Sequence, residues 1–319
     1  MRFGLVGLGM MGRHHARILT GASEVDFVGA YDPIGDRHGA MSGGRMFSDL
    51  DALLGEDLEA AIVAVPTAEH RDLALRMADL DIHTLIEKPL ADSVPHAEEI
   101  RSGFDRTTAI GAVGHVERFN PALQELKKRL DAGDLGRVIS ISTERVGPFP
   151  NRIQDVGVVK DLATHDIDIA MWIGDSEVSD VSGQLAHKMG RPHEDLVVAT
   201  GRLANDIVVS FNVNWLTPVK RRSVSVLGEK GAFVADMLSG DLSFFANAEV
   251  TSQWDTLAQM RGVSEGDMIR YAFPKREPLA VEHEAFRAAI TNGEAEGVVT
   301  LEQGVKILEV AEAMIGAPA

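Results

Sequence analysis

A short apolar run over residues 2 to 6 passes directly into Gly7-Leu8-Gly9-Met10-Met11-Gly12, and Arg13 to Thr20 continues as a helix closed by Gly21. Strand, glycine turn and helix in immediate succession leave few folds open. The glycines allow a tight turn and let a pyrophosphate approach backbone N–H groups at a helix N-terminus, where the helix dipole favours an anion. Gly7, Gly9, Met10, Met11 and Gly12 are the expected contacts. The spacing alone is weak evidence, but the next strand, Val25 to Tyr31, ends at Asp32, where a carboxylate can accept from the hydroxyls of an adenosine ribose. A carboxylate there repels a 2'-phosphate and no arginine immediately follows, so NAD is expected rather than NADP. Arg37 is near enough to swing over, although a solvated helix charge is the plainer reading of it.

Strand and helix go on alternating. Asp49 to Leu54 reads as a short helix, Ala60 to Val65 as a buried strand, Thr67 to Leu80 as an amphipathic helix after Pro66, and Val94 to Phe104 as another helix. With Thr84 to Ile86 and Thr108 to Val113 this makes roughly six parallel strands by residue 114, a doubly wound parallel sheet of the Rossmann type. Thr67 is a plausible N-cap, with His70 in the first turn near a bound dinucleotide.

The pattern breaks at Gly114 to Pro121, which is taken as the junction between a dinucleotide-binding domain over 1–118 and a second domain over 119–319. In the second, Val138 to Val146, Val178 to His187, Leu196 to Leu203, Ile207 to Trp215, Ser223 to Leu227, Ala232 to Met237 and Leu242 to Ala246 read as strands joined by short turns. That predicts an α+β domain with a largely antiparallel open sheet. Two closing helices, Leu279 to Thr291 and Leu301 to Ile315, could pack back on the first domain.

Two stretches carry candidate chemistry. Apolar Thr84-Leu85-Ile86 ends in Glu87-Lys88-Pro89, which delivers Lys88 to the carboxyl edge of the sheet, where ligands of doubly wound folds bind. Lys88 there suits proton transfer or a hydrogen bond to substrate, although a solvated lysine at a strand end is the plainer alternative. Asp161 and His165 are four apart on a helix anchored by Leu162, Ile169 and Ile173, so they share one face. Histidine is the natural base for an alcohol near neutral pH and an aspartate one turn away can orient it; a surface ion pair would have the same spacing. No metal site is expected, since His14 and His15 point in different directions and no third ligand is patterned nearby.

Taken in order, Gly7 to Gly12, Pro66-Thr67 with His70, Glu87-Lys88-Pro89 and Asp161-x-x-x-His165 resemble the Gfo/Idh/MocA family (glucose-fructose oxidoreductase, inositol dehydrogenase and rhizopine catabolism) over essentially the full length. The resemblance implies that Lys88, Asp161 and His165 form the catalytic set above the nicotinamide, and that Pro66, Thr67, His70 and Glu87 border the cofactor. The implied chemistry is hydride transfer at a secondary alcohol of a sugar or cyclitol. Gly114 to Pro121 and residues 152 to 162 look like the branch containing UDP-N-acetylglucosamine 3-dehydrogenases, which implies a UDP-linked N-acetylhexosamine oxidised at C3. Val116 departs from the polar residue often found at that place. Arg118 and Arg152, with Arg145 and Lys160 nearby, could then gather a diphosphate, the alternative being solvated charges that balance Asp155 and Glu144.

Charge makes that gathering necessary: the 319 residues carry a formal net charge of -17. Nucleic acid and anionic membranes are poor partners for such a chain. There is no cysteine to form a disulfide or bind a metal, and no apolar run reaches the roughly 18 residues of a spanning helix, so the cytoplasm is the default expectation. A homodimer or homotetramer is expected through the open face of the second sheet; Val209, Phe211 and Val213 fit such an interface, and burial under helices explains them as well. Three other readings stand beside the nucleotide-sugar dehydrogenase. They are an inositol or free-sugar dehydrogenase, a non-catalytic dinucleotide sensor, and an NAD-dependent glycosidase using transient oxidation at C3. The glycosidase is short of tyrosines, since only Tyr31 and Tyr271 are present.

Overall fold

The computed structural model of the protein describes residues 1–41, 44–150, 156–248, 266–295 and 297–316. Its elements run β1 (Arg2–Val6), α1 (Gly12–Gly21), β2 (Asp26–Tyr31), α2 (Leu50–Leu54), β3 (Ala60–Val63), α3 (His70–Asp79), β4 (His83–Glu87), α4 (Val94–Phe104) and β5 (Gly111–Gly114). Then come α5 (Pro121–Asp131), β6 (Val138–Pro148), α6 (Thr164–Gly174), β7 (Val178–Ala186), β8 (Leu196–Leu203), β9 (Val208–Asn214) and β10 (Leu216–Gly228). Last are β11 (Gly231–Asp236), β12 (Asp241–Ala246), β13 (Met268–Arg270), α7 (Pro278–Asn292), β14 (Val299–Thr300) and α8 (Leu301–Gly316).

Two compact units share the chain: Met1–Val116 with Pro278–Glu309, and Glu117–Glu277 with Val310–Ala319. The division falls two residues before the expected boundary at 118, and the second domain does not run unbroken from 119 to 319. The reason is apolar burial, since Phe286 and Ala289 of α7 share one core with Phe3, Leu5 and Leu19.

In the first unit the sheet order is β14-β5-β4-β3-β1-β2. Five strands, β1 to β5, are parallel. The expected sixth parallel strand is instead β14, which pairs antiparallel with β5 from the far end of the chain. All four residues of β3 are buried, as suits a parallel strand covered on both faces. β1 pairs with β2 on one side and β3 on the other, so the order reverses there, and the carboxyl ends of β1 and β3 form the switch point where such sheets bind ligands. The helix expected from Thr67 begins later: Thr67–Glu69 is a 3₁₀ turn whose cap is Pro66, Thr67 caps nothing, and α3 starts at His70.

In the second unit the order is β13-β12-β11-β10-β6-β9-β8-β7, antiparallel except for β6 with β9. This is the expected open α+β sheet. One face is covered, with α6 on β6 and α5 on β11 and β12. Val209, Phe211 and Val213 are buried within the chain, so of their two expected explanations burial under helices is the one found and the interface is not. On the opposite face the register lines up Ser182, Thr200, Ser210, Ser142 and Ser225 across five strands.

Candidate active site

The first unit builds a dinucleotide cradle at its switch point. Gly7 has φ +95°, and a β-carbon there would lie 2.3 Å from the Ala64 carbonyl oxygen, so the turn presses on the end of β3. At Gly12 a β-carbon would lie 2.0 Å from the Gly7 oxygen, whereas at Gly9 it would meet nothing within 4 Å. Gly9 therefore faces open space, and a side chain there would occupy the room a pyrophosphate needs. No side chain caps α1 and its first turn holds no acid, which keeps the helix end electropositive. Asp32 accepts from the Leu8 N–H at 2.7 Å and the Ile34 N–H at 2.8 Å, which anchors its carboxylate beside the turn. These residues fit NAD, whose pyrophosphate the turn would hold and whose ribose Asp32 would hold.

Pro66 is exposed and Thr67 half-buried at the neighbouring end of β3. His70, expected on the cofactor surface, is instead 1% exposed, its ring set between Val65 O at 3.1 Å and Pro89 O at 3.0 Å. Burial holds its pKa below the ordinary 6.5 against the pull of these carbonyls, and the neutral ring, with a single N–H, donates to one of them and packs against the other between β3 and the turn after Lys88. Lys88 itself is half-buried at the end of β4. Behind it Glu87 is buried. Burial alone would raise its pKa, but the bond to His15 and the charge of Lys88 bring it below the usual carboxylate value. His15 and His283 complete this buried group, and sequence spacing gave no sign of it.

The second unit gathers the other candidates around α6. A π-helical turn over Val159–Ala163 precedes α6, so Asp161 lies in a widened turn and not in the α-helical register expected for it; such turns recur at functional sites. Glu194 receives the entering chain, accepting from Val159 N–H at 3.0 Å. Asp161 and His165 are both buried, at 9% and 8% exposure, which removes the surface ion pair as an explanation. Two arginines brace the helix. Arg145, 1% exposed, donates to Asp166 at 3.0 Å and Glu117 at 2.7 Å, and Arg222 also donates to Glu117 at 2.9 Å. Burial pushes the Asp166 carboxyl up, against the pull of Arg145. Arg118 is buried against Asp168, pairing through both its Nε and Nη2 atoms. Neither Arg118 nor Arg145 is therefore presented to a diphosphate, contrary to expectation. A guanidinium fork suits a carboxylate as well as a phosphate, and residue type cannot say which it will meet. Arg152 lies outside the described residues, and Lys160 reaches Glu312 at 3.5 Å.

A dinucleotide turn at a sheet switch point in one unit, and a buried Asp-x-x-x-His segment on a helix in the other, describe a two-domain nicotinamide-linked oxidoreductase. Residues 1–115 match the oxidoreductase family with an NAD-binding Rossmann fold, and residues 123–234 match the Gfo/Idh/MocA C-terminal domain. The chain belongs to the Gfo/Idh/MocA family of oxidoreductases, and its cofactor is NAD. It is 27% identical to a UDP-N-acetylglucosamine 3-dehydrogenase of Acidithiobacillus ferrooxidans, over 91% of this chain and 88% of that protein. A solved structure of the enzyme of that name from the same organism superposes with a TM-score of 0.85 at 26% identity, covering 98% of this chain and 96% of the other. An inositol 2-dehydrogenase of Saccharopolyspora erythraea is also 27% identical, over 99% of this chain and 92% of that protein. Among the described residues no helix is long and apolar enough to cross a membrane.

Proposed function

We propose that this protein oxidises a secondary hydroxyl of a sugar, with a UDP-linked N-acetylhexosamine oxidised at C3 as the substrate. The observation that carries the reading is the state of His165. It is an imidazole withdrawn from water on a helix whose acids Asp166 and Asp168 are held by arginines, with Asp161 one turn before it. NAD, when bound, supplies the hydride acceptor. His165 takes the proton of the substrate hydroxyl, and Asp161 orients the ring and supports the charge it gains. Lys88, at the end of β4 beside the dinucleotide turn, is suited to donate to a substrate oxygen and to stabilise negative charge that develops on it.

The nucleotide sugar is favoured by the match to the A. ferrooxidans enzyme in both sequence and fold. A diphosphate also needs cations, and with Arg118 and Arg145 buried against carboxylates, the exposed Lys220 is the cation that takes that place, beside Arg222, which is itself paired with Glu117. Arg222 lies within electrostatic reach of Asp161, and Lys220 has its pKa pushed down chiefly by the charge of Arg222. Inositol is the second reading, supported by the equal identity of the S. erythraea relative.

The test is turnover in variants that keep their fold by circular dichroism. Lys88→Ala and His165→Ala are each expected to lower kcat by ~10²–10⁴-fold, and Asp161→Asn by less. A His165→Ala enzyme with near-normal hydride transfer would remove histidine as the base.

A further inference from the structure

Three side chains from three distant parts of the first unit form one buried chain. His283 on α7 lies with its Nε2 2.8 Å from His15 Nδ1 on α1, and His15 Nε2 lies 2.8 Å from Glu87 Oε1 at the end of β4. The second carboxylate oxygen, Oε2, accepts from the Lys88 backbone N–H at 3.2 Å. His15, Glu87 and His283 are exposed by 0%, 6% and 2%. Gly114 of β5 packs on the carboxylate, since a β-carbon there would lie 3.4 Å from Glu87 Cδ.

Burying a carboxylate this deeply is costly unless its oxygens are hydrogen-bonded and its charge is answered. Its charge is answered first by His15 and then by Lys88, the residue read as donating to a substrate oxygen. Because Glu87 is ionised, the proton between it and His15 must sit on His15 Nε2, whichever ring holds the proton of the histidine–histidine contact. The orientation of Glu87 is therefore set from behind by two helices, while His70 fixes the turn after Lys88. Salt bridges at the surface would not need such an arrangement; a lysine that must meet one atom does.

We propose that His15 and His283 are positioning residues which act through Glu87 on Lys88. This rests on the reading that Lys88 holds the reacting oxygen. The chain sets where the ammonium stands and gives it a fixed counter-charge, and it does not touch substrate.

The experiment measures kcat and KM with UDP-N-acetylglucosamine and with myo-inositol, together with the NAD dissociation constant, in Lys88→Met, Glu87→Gln, His15→Leu, His15→Gln and His283→Leu. Misplacement of a catalytic group costs up to about 100-fold, so His15→Leu and Glu87→Gln should lower kcat by roughly 10- to 100-fold with KM and NAD affinity little changed. His15→Gln, whose carboxamide N–H can still donate to Glu87, should recover most of the loss. His283→Leu should cost less and add nothing further on top of His15→Leu, the mark of action through His15. Wild-type kcat in both His15→Leu and Glu87→Gln, with Lys88→Met impaired, would overturn the inference and leave the function standing. Should His15→Leu fail to fold, wild-type kcat in Glu87→Gln would overturn it, and a loss there that His15→Gln does not share would support it. Full turnover in Lys88→Met would instead remove the role given to Lys88.

Discussion

Gly9 and Gly12 differ in what a β-carbon would meet, and the difference separates folding from binding. At Gly12 the added atom would collide with Gly7 oxygen, so Gly12→Ala should lower the melting temperature, in line with a loss of about 1–3 kcal/mol. At Gly9 the atom enters open space, so Gly9→Ala should melt like wild type and bind NAD more weakly. Asp32 belongs to the same test, because its anchored carboxylate faces a 2'-phosphate: NADP should bind more weakly than NAD. Thermal melts and titration of both cofactors decide it, and unchanged NAD binding in Gly9→Ala, or tighter binding of NADP, would contradict the cradle. The turn itself was legible because a glycine turn between strand and helix is local. His70 and Arg118 were misread because spacing places a residue on a helix or turn but not against what lies across the fold. The partner of Arg118 is 50 residues away, and that of His15 is 268 residues away.

Elements whose chemistry is written in short periods were read closely from sequence: β1, β2, β8, α4 and most strands of the second sheet fall near their expected bounds, while β10 starts seven residues before the expected Ser223 and β13 was not foreseen. What periodicity could not give was the π-helical turn at Asp161 and the antiparallel β14. The first depends on how Glu194 receives the chain, and the second on a return of the chain from its far end. The helices of the first unit also carry its pH response. His70 of α3 and His283 of α7 are held below the ordinary 6.5, burial being the first cause at each, with the charge of His15 and then of Arg287 adding to it at His283. The unfolded chain takes up these protons near 6.5 and the native one only at lower pH. Stability is thus full above 6.5 and falls as pH drops below it toward the lowered native values. Glu87, lowered from 4.5, extends the same slope further into acid, while Asp166 works in the opposite sense. Melting temperatures taken between about pH 8 and pH 5 should fall with acidification, and less steeply in His283→Gln. A flat or rising profile in the wild type would contradict it.

At the scale of the whole molecule, fold class and family were readable because the motifs come in a fixed order along the chain, each at an element boundary. Substrate was less so. A net charge of -17 demands local cations for an anionic substrate, yet two of the arginines proposed for that task turned out to hold α6 in place. The Lys220-Arg221-Arg222 run on β10 was not singled out from sequence, and its Lys220 is the cation proposed for the diphosphate. The central claim is oxidation of a nucleotide-linked sugar with NAD. The direct measurement is NADH formation by the purified protein with UDP-N-acetylglucosamine, other UDP-sugars, free N-acetylglucosamine, glucose and inositols under one set of conditions. The UDP-linked N-acetylhexosamine should give the highest kcat/KM and a 3-keto product. A higher value for free inositol, or no NADH from any of them, would contradict the account.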